Sequence, residues 1–196
     1  MLEENPVFET LLSNYSEDQV LEFVIKRFEV ELTTPEYAFM TQEEELNEEN
    51  TNMFFISKGD CNVMVKDKIG DIIEETKART LNPGAHFGEI SLIYGCARTS
   101  TVVANNYCTL AKLTKTHYEE LIQKYPELIQ RFKEMIFRYN DNVKLFLEKT
   151  LDQIEYFKYL SHSVKHDILY KMKRVHFEKG GYLYKIGEIA HQMFII

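Results

Sequence analysis

Between residues 17 and 28 the apolar side chains Val20, Leu21, Phe23, Val24 and Phe28 recur every three or four positions. Pro6, Phe8, Leu11 and Leu12 lie upstream, and Ser16-Glu17-Asp18 is a helix-start signal, so the stretch up to Arg27 predicts a helix or helix pair. The period then drops to two. Phe28, Val30 and Leu32 alternate with charged residues, which is strand spacing. Pro35 marks a turn, and residues 37–41 predict a short strand. Runs at 53–56 and 61–66 flank Lys58-Gly59-Asp60 and predict a hairpin. On its second arm Cys61, Val63 and Val65 fall on the core face, with Asn62, Met64 and Lys66 outside. Residues 68–74, around Gly70-Asp71, continue the meander, and Pro83-Gly84 breaks it. Two more strands follow at 101–104 and 109–113, separated by Asn105-Asn106. Many short antiparallel strands at close spacing predict a barrel or jelly roll.

Past Leu113 the helical period returns. Residues 117–124 predict a helix stopped by Tyr125-Pro126. Leu128, Phe132, Met135, Tyr139, Val143 and Phe146 form one stripe, so a single long helix is expected over about 127–149. Residues 157–172 read as another helix, and 175–177, 182–184 and 193–196 as strands. This order begins the pattern again. Residues 28–56 and 176–196 each run strand, turn, strand, loop, and each ends on Met-Phe-[Phe/Ile]-Ile. The expected fold class is α+β, mainly β. An eight-stranded antiparallel jelly-roll barrel would carry N-terminal helices and a C-terminal helix pair. A complete domain would span 1–145, and 150–196 would be the N-terminal part of a second, truncated copy.

Composition narrows the function. Hydrophobic residues make up 44% of the 196 residues, enough for a packed core. The net charge of −8 argues against a nucleic-acid surface and against adhesion to anionic lipid. No apolar run approaches the ~20 residues that cross a bilayer. The first residues have neither the basic nor the apolar part of a secretory signal. Cys61, Cys96 and Cys108 lack metal-site spacing and read as reduced thiols. The expected setting is cytoplasmic, including the cytosolic side of a membrane protein or a cytoskeletal or ciliary assembly. Glu43, Glu44, Glu45, Glu48 and Glu49 crowd residues 43–50 without EF-hand spacing, so a solvated surface loop is expected. His162 and His166 sit four apart without a third ligand, and read as solvent-facing rather than metal-binding. No nucleophile with a base and no paired catalytic carboxylates are evident, so neither an enzyme nor a cofactor is expected.

The stretch that carries chemistry is Phe87-Gly88-Glu89-Ile90-Ser91-Leu92-Ile93-Tyr94-Gly95, then Cys96-Ala97-Arg98-Thr99-Ser100-Thr101-Val102. Gly88 permits close backbone approach or an unusual φ. Residues 89–94 are long enough for one or two helical turns closed by Gly95. The start of such a helix presents unpaired N–H groups to an anion. An arginine such as Arg98 grips a phosphate through two parallel hydrogen bonds. Glu89, an acceptor when ionised, suits a sugar hydroxyl. These are the parts of a sugar-phosphate pocket. The alternative is an ordinary Glu89–Arg98 ion pair.

This run resembles the phosphate-binding cassette of cyclic nucleotide-binding domains, found in kinase regulatory subunits, in cyclic-nucleotide-regulated channels and in bacterial catabolite activators. The resemblance covers residues 6 to about 145, as the first of a tandem pair. It implies that Glu89 takes the ribose 2′-hydroxyl and Arg98 the cyclic phosphate of cAMP or cGMP. It further implies that backbone groups around Gly88, Ile90, Ser91, Thr99 and Ser100 bind ribose or phosphate oxygens. The helix from Glu127 would act as a lid, with Tyr139 or Val143 as base-capping candidates, although either also suits plain helix packing. Two departures stand out. Pro35-Glu36 replaces the family's Pro-Gly, and the acidic 43–50 loop lacks the family's Gly-acid pair.

The implied function is a non-catalytic cyclic-nucleotide sensor that regulates an attached or partner effector, such as an ion channel or a protein kinase. The partners would be the nucleotide and a protein effector, with no nucleic acid and no membrane insertion in this segment. The alternative is a scaffold protein of the same fold, with a vestigial pocket and a protein partner.

Overall fold

The computed structural model describes residues 17–69, 72–139, 142–173, 175 and 177–195. Helix α1 (Glu17–Ile25) leads into strands β1 (Glu29–Thr33), β2 (Ala38–Met40), β3 (Asn52–Lys58), β4 (Cys61–Ile69), β5 (Ile72–Leu81) and β6 (His86–Phe87). A short helix α2 (Glu89–Tyr94) interrupts the strands before β7 (Thr101–Ala104) and β8 (Cys108–Thr114). Helices α3 (Lys115–Lys124), α4 (Leu128–Phe137), α5 (Asn142–Gln153) and α6 (His162–Leu169) complete the described elements. The expected helix at 6–16 lies outside the described residues.

The strands make two four-stranded antiparallel sheets, ordered β1-β8-β3-β6 and β2-β7-β4-β5. The eight strands expected to form a jelly-roll barrel are thus two antiparallel sheets, with no closed barrel among the described residues. Strand β3 explains the layering. Its residues 52–56 are all buried, because it is covered on both faces. Phe54 and Ile56 join the core between the sheets, while Met53 and Phe55 join the core beneath the helices. Between the sheets Phe54 stacks on Phe87 at 5.0 Å, and Phe39 tilts against both. Under the helices Leu121, Leu128 and Ile136 are almost wholly buried, each contributing ~2 kcal/mol by burial.

The runs at 53–56 and 61–66 do form strands, but not the hairpin expected of them. Strand β3 pairs with β6 and β8 in one sheet and β4 with β5 and β7 in the other, because the chain crosses between the layers at Lys58-Gly59-Asp60. Cys61 and Val63 are buried as the alternation predicts. A register shift between Val63 and Met64 re-aims the strand, and Val65 is left half-buried. Pro35-Glu36 forms a turn, with Glu36 at φ 66 where a glycine would sit without strain. Strand β1 departs from the usual inward alternation: Val30 and Leu32 face outward.

The long lid helix expected over 127–149 is two helices. Helix α4 ends at Phe137 and α5 begins at Asn142. Lys144 seals the joint. Its ammonium is buried and donates to the carbonyl of Phe137 and, at 3.0 Å, to that of Tyr139. A cation there also suits the negative end of α4.

The region read as a second copy contains α6, shorter than the expected 157–172 helix. No strand forms among its described residues. A strand requires a ladder partner, and Tyr182, Ile186 and Ile189 are exposed instead. Phe177 and Tyr184 fold locally onto Phe194, at 5.4 Å each. Ile196 lies outside the described residues.

Candidate functional site

The cassette begins where β6 pairs with β3, Phe87 opposite Phe54 and His86 opposite Phe55. Gly88 follows in the left-handed region at φ 86. A Cβ there would lie 2.5 Å from the Asn52 carbonyl and 3.1 Å from Arg98 Nη1, so glycine is required by both conformation and space. Gly95 closes α2 in the same region and donates to the Ser91 carbonyl at 2.9 Å.

Arg98 is among the most deeply buried side chains of the protein, 2% exposed. It does not pair with a carboxylate. Nη1 donates to the Gly88 carbonyl at 3.1 Å, and Nη2 donates to the carbonyls of Asn52, at 3.1 Å, and of Asn50. Nε has no hydrogen-bond partner. Burial pulls the guanidinium below its usual pKa, and the nearby charges of Glu44 and Glu89 push back. A cation held in this way is costly unless a further anion compensates it.

The acidic loop is part of this cradle. Glu43, Glu45, Glu48 and Glu49 are exposed as expected, but Glu44 turns inward. Its carboxylate accepts from the Thr41 amide at 3.1 Å and from Asn50 Nδ2 at 2.9 Å. Asn47 Oδ1 accepts from the amides of Glu49 and Asn50, both at 2.8 Å. The loop then zips onto the cassette, the Glu43 amide donating to the Arg98 carbonyl at 2.8 Å and the Arg98 amide to the Glu44 carbonyl at 3.3 Å. Asn50 and Asn52 were invisible to sequence reading because they act through backbone carbonyls.

Glu89 is 4% exposed. The Tyr139 hydroxyl lies 2.8 Å from His86 Nε2. Burial and then the Glu89 charge push the Tyr139 phenol above its usual pKa. Burial pulls His86 down, Glu89 opposing it and Arg79 adding to it. Tyr139 thus meets His86 at the start of the cassette, a neighbour the motif did not flag. The side chain of Val143, the other capping candidate, lies outside the described residues.

Ser91 is buried on the inner side of α2, Ile90 and Ser100 are half-buried, and Thr99 is exposed. Burial pushes the Cys96 thiol up to about 11, so at neutral pH it is a thiol, without thiolate reactivity. His166 corrects an expectation. It is 2% exposed and sits 2.5 Å from Glu148, because α6 packs its polar face against α5. His162 is exposed. Helix α6 also touches the cassette: Tyr170 packs on Tyr94 at 4.3 Å, and Asp167 pairs with Lys133 of α4 at 2.7 Å. Among the described residues, no three His, Cys, Asp or Glu side chains gather as a metal site, and no helix is long and apolar enough to cross a membrane.

Residues 45–125 match the family model of the cyclic nucleotide-binding domain. Over 73 residues the chain is 33% identical to the potassium/sodium hyperpolarization-activated cyclic nucleotide-gated channel 2 of Mus musculus. That stretch is 37% of this chain and 8% of the channel. The catabolite activator protein of Thermus thermophilus has a similar fold, with a TM-score of 0.58 and 19% identity, over 76% of this chain and 65% of that one. The regulatory domain of Toxoplasma gondii PKA, solved with cAMP, matches with a TM-score of 0.51 and 17% identity, over 86% of this chain and 54% of that one. Residues 45–125 are thus similar to the cyclic nucleotide-binding domain, and the chain is mainly β and shares the fold of these solved structures.

Proposed function

We propose that this domain is a non-catalytic sensor of cAMP or cGMP that regulates an attached or partner effector of the channel or kinase kind. One observation carries the reading. Arg98 is a fully buried guanidinium without a carboxylate partner, in a cradle whose Gly88 leaves no room for a side chain. A structural arginine would be paired; a cyclic phosphate supplies the missing anion through charge-assisted hydrogen bonds. Glu89 would accept the ribose 2′-hydroxyl, with backbone groups at Gly88, Ile90, Ser91, Thr99 and Ser100 taking the remaining oxygens. Tyr139, or Val143, would lie over the base. The contacts of α6 with Tyr94 and Lys133 offer a route from the cassette to the segment beyond, so ligand would act by differential affinity for two arrangements of these helices.

The second reading, a scaffold with an idle pocket, is favoured by the way Arg98 already finds three carbonyl partners within the chain. Calorimetric titration with cAMP and with cGMP separates the two. Binding at micromolar ligand, abolished by Arg98→Ala in a variant that keeps its fold, supports the sensor. No heat at millimolar ligand supports the scaffold.

A further inference from the structure

The geometry points to Cys61 and Cys108 as a modification site: a thiol pair that hydrogen peroxide converts to a disulfide, joining the two sheets across their shared core. The inference is independent of the nucleotide reading.

The two residues lie 47 positions apart in sequence, yet their sulfurs are 3.9 Å from each other. Cys61 opens β4 in one sheet and Cys108 opens β8 in the other. Both are free thiols of the core between the sheets, 0% and 3% exposed. A clasp of polar groups ties together the turns that precede them. The Asp60 carboxylate accepts from Asn105 Nδ2 at 2.8 Å and from Asn106 Nδ2, and the Asp60 amide donates to Asn106 Oδ1 at 3.1 Å. The Asn105 amide donates to the Asp60 carbonyl at 2.9 Å. Gly59 lets the turns approach, since a Cβ there would lie 2.7 Å from Cys108 Sγ. The sulfurs are thus held in contact, and a bond of about 2.05 Å is reached by roughly 2 Å of side-chain movement shared between them.

Cys108 is the entry point. It follows the exposed turn Asn105-Asn106-Tyr107, whereas Cys61 is sealed. Burial first, and then neighbouring Cys108, push the Cys61 thiol up, which keeps it protonated until its partner has reacted. Local opening of the 105–107 turn admits a small oxidant. The Cys108 sulfur attacks one peroxide oxygen, the O–O bond breaks, and the departing hydroxide takes the thiol proton to become water. The Cys61 sulfur then attacks the sulfur of the new sulfenic acid. The S–O bond breaks, and the second hydroxide leaves with the Cys61 proton, again as water. Two thiols lose two electrons, and one peroxide is reduced to two waters. The loop so closed carries β5, β6, α2 and β7, so oxidation ties the whole cassette into a covalent ring.

The test treats the reduced full chain with submillimolar hydrogen peroxide and reads intact mass, thiol count and peptide map without reductant. The expected result is the loss of two hydrogens and of two of the three thiols, a linked Cys61–Cys108 peptide, and full reversal by dithiothreitol. Cys96 stays reduced. The oxidised protein should melt several degrees higher, because the unfolded chain is constrained over a long loop. In Cys61→Ala, dimedone, which traps sulfenic acids, should label Cys108. Three surviving thiols, oxidation confined to Cys96, or a mixture of pairings overturns the site. A lower Tm for the oxidised protein overturns the joining of the sheets as a stabilising link. The wild-type map requires no variant, so it decides the matter even where Cys61→Ala fails to fold.

Discussion

Arg98 Nη2 donates to the Asn52 carbonyl at 3.1 Å, joining the cassette's buried cation to the first residue of the strand that both cores share. Gly88 sits between them, with its missing Cβ only 2.5 Å from that same carbonyl. The geometry of the cradle and the stability of the domain are therefore linked at one point.

Gly88→Ala should destabilise the domain by at least about 2 kcal/mol, through left-handed strain plus displacement of strand backbone. Urea denaturation followed by circular dichroism measures it. A change below about 0.5 kcal/mol, the range of an ordinary surface substitution, would mean that the close approach relaxes freely.

Glu36 occupies the left-handed region at φ 66, where a side chain costs about 1–2 kcal/mol relative to glycine. Glu36→Gly removes that strain but gives the unfolded chain more freedom, offsetting about 0.4–1 kcal/mol. The expected net effect is a small rise in Tm by scanning calorimetry. A fall in Tm would show that the Glu36 side chain makes a stabilising contribution larger than its strain.

Stability should decline on mild acidification. Burial is the first cause pulling both His86 and His166 below the unfolded value of about 6.5. Around His86 stand Glu89, Arg79 and Tyr139; around His166 stand Glu148, Lys144 and His162. Below about pH 6.5 the unfolded chain binds protons that the folded chain resists. Stability is thus complete above that pH and is lost as pH falls through the folded values. Tm measured from pH 7.5 to 5.5 should drop, and His166→Gln should flatten the slope. A Tm that rises over that interval contradicts the sign.

Lys144→Met should loosen the joint between α4 and α5. The ammonium serves the carbonyls of Phe137 and Tyr139, and losing such charged hydrogen bonds costs about 1.5–3 kcal/mol. Hydrogen exchange at the Arg138 and Tyr139 amides should speed up relative to those in β3. Unchanged protection there would place the joint's stability elsewhere.

Much of this was legible in the chain. The cassette run named its own structure, because Gly88 and Gly95 mark backbone positions that almost only glycine fills easily. The runs over 52–66 placed strands β3 and β4 but not their division between the two sheets, since each pairs with strands far along the chain. What escaped notice has physical causes. The Arg98 cradle is built from carbonyls of Asn50 and Asn52, and a backbone atom leaves no mark in residue type. Burial of His166 depends on Glu148, eighteen positions away, so its own four-residue spacing could not reveal it. The apolar stripe in the sequence runs unbroken from Leu128 to Phe146, so its period alone gave no sign that one helix ends at Phe137 and the next begins at Asn142. Strand patterning after residue 174 failed because alternation signals a strand only when another strand is there to pair with it.

The central claim is that Arg98 exchanges carbonyl partners for a phosphate. The most direct measurement is the proton–nitrogen resonance of Arg98 Nε, unpartnered in this structure, assigned by its loss in Arg98→Lys and followed as cAMP is added. The account predicts a saturable downfield shift, because the idle N–H acquires an anionic acceptor. A resonance that does not move at millimolar cAMP, in protein that remains folded, would contradict it.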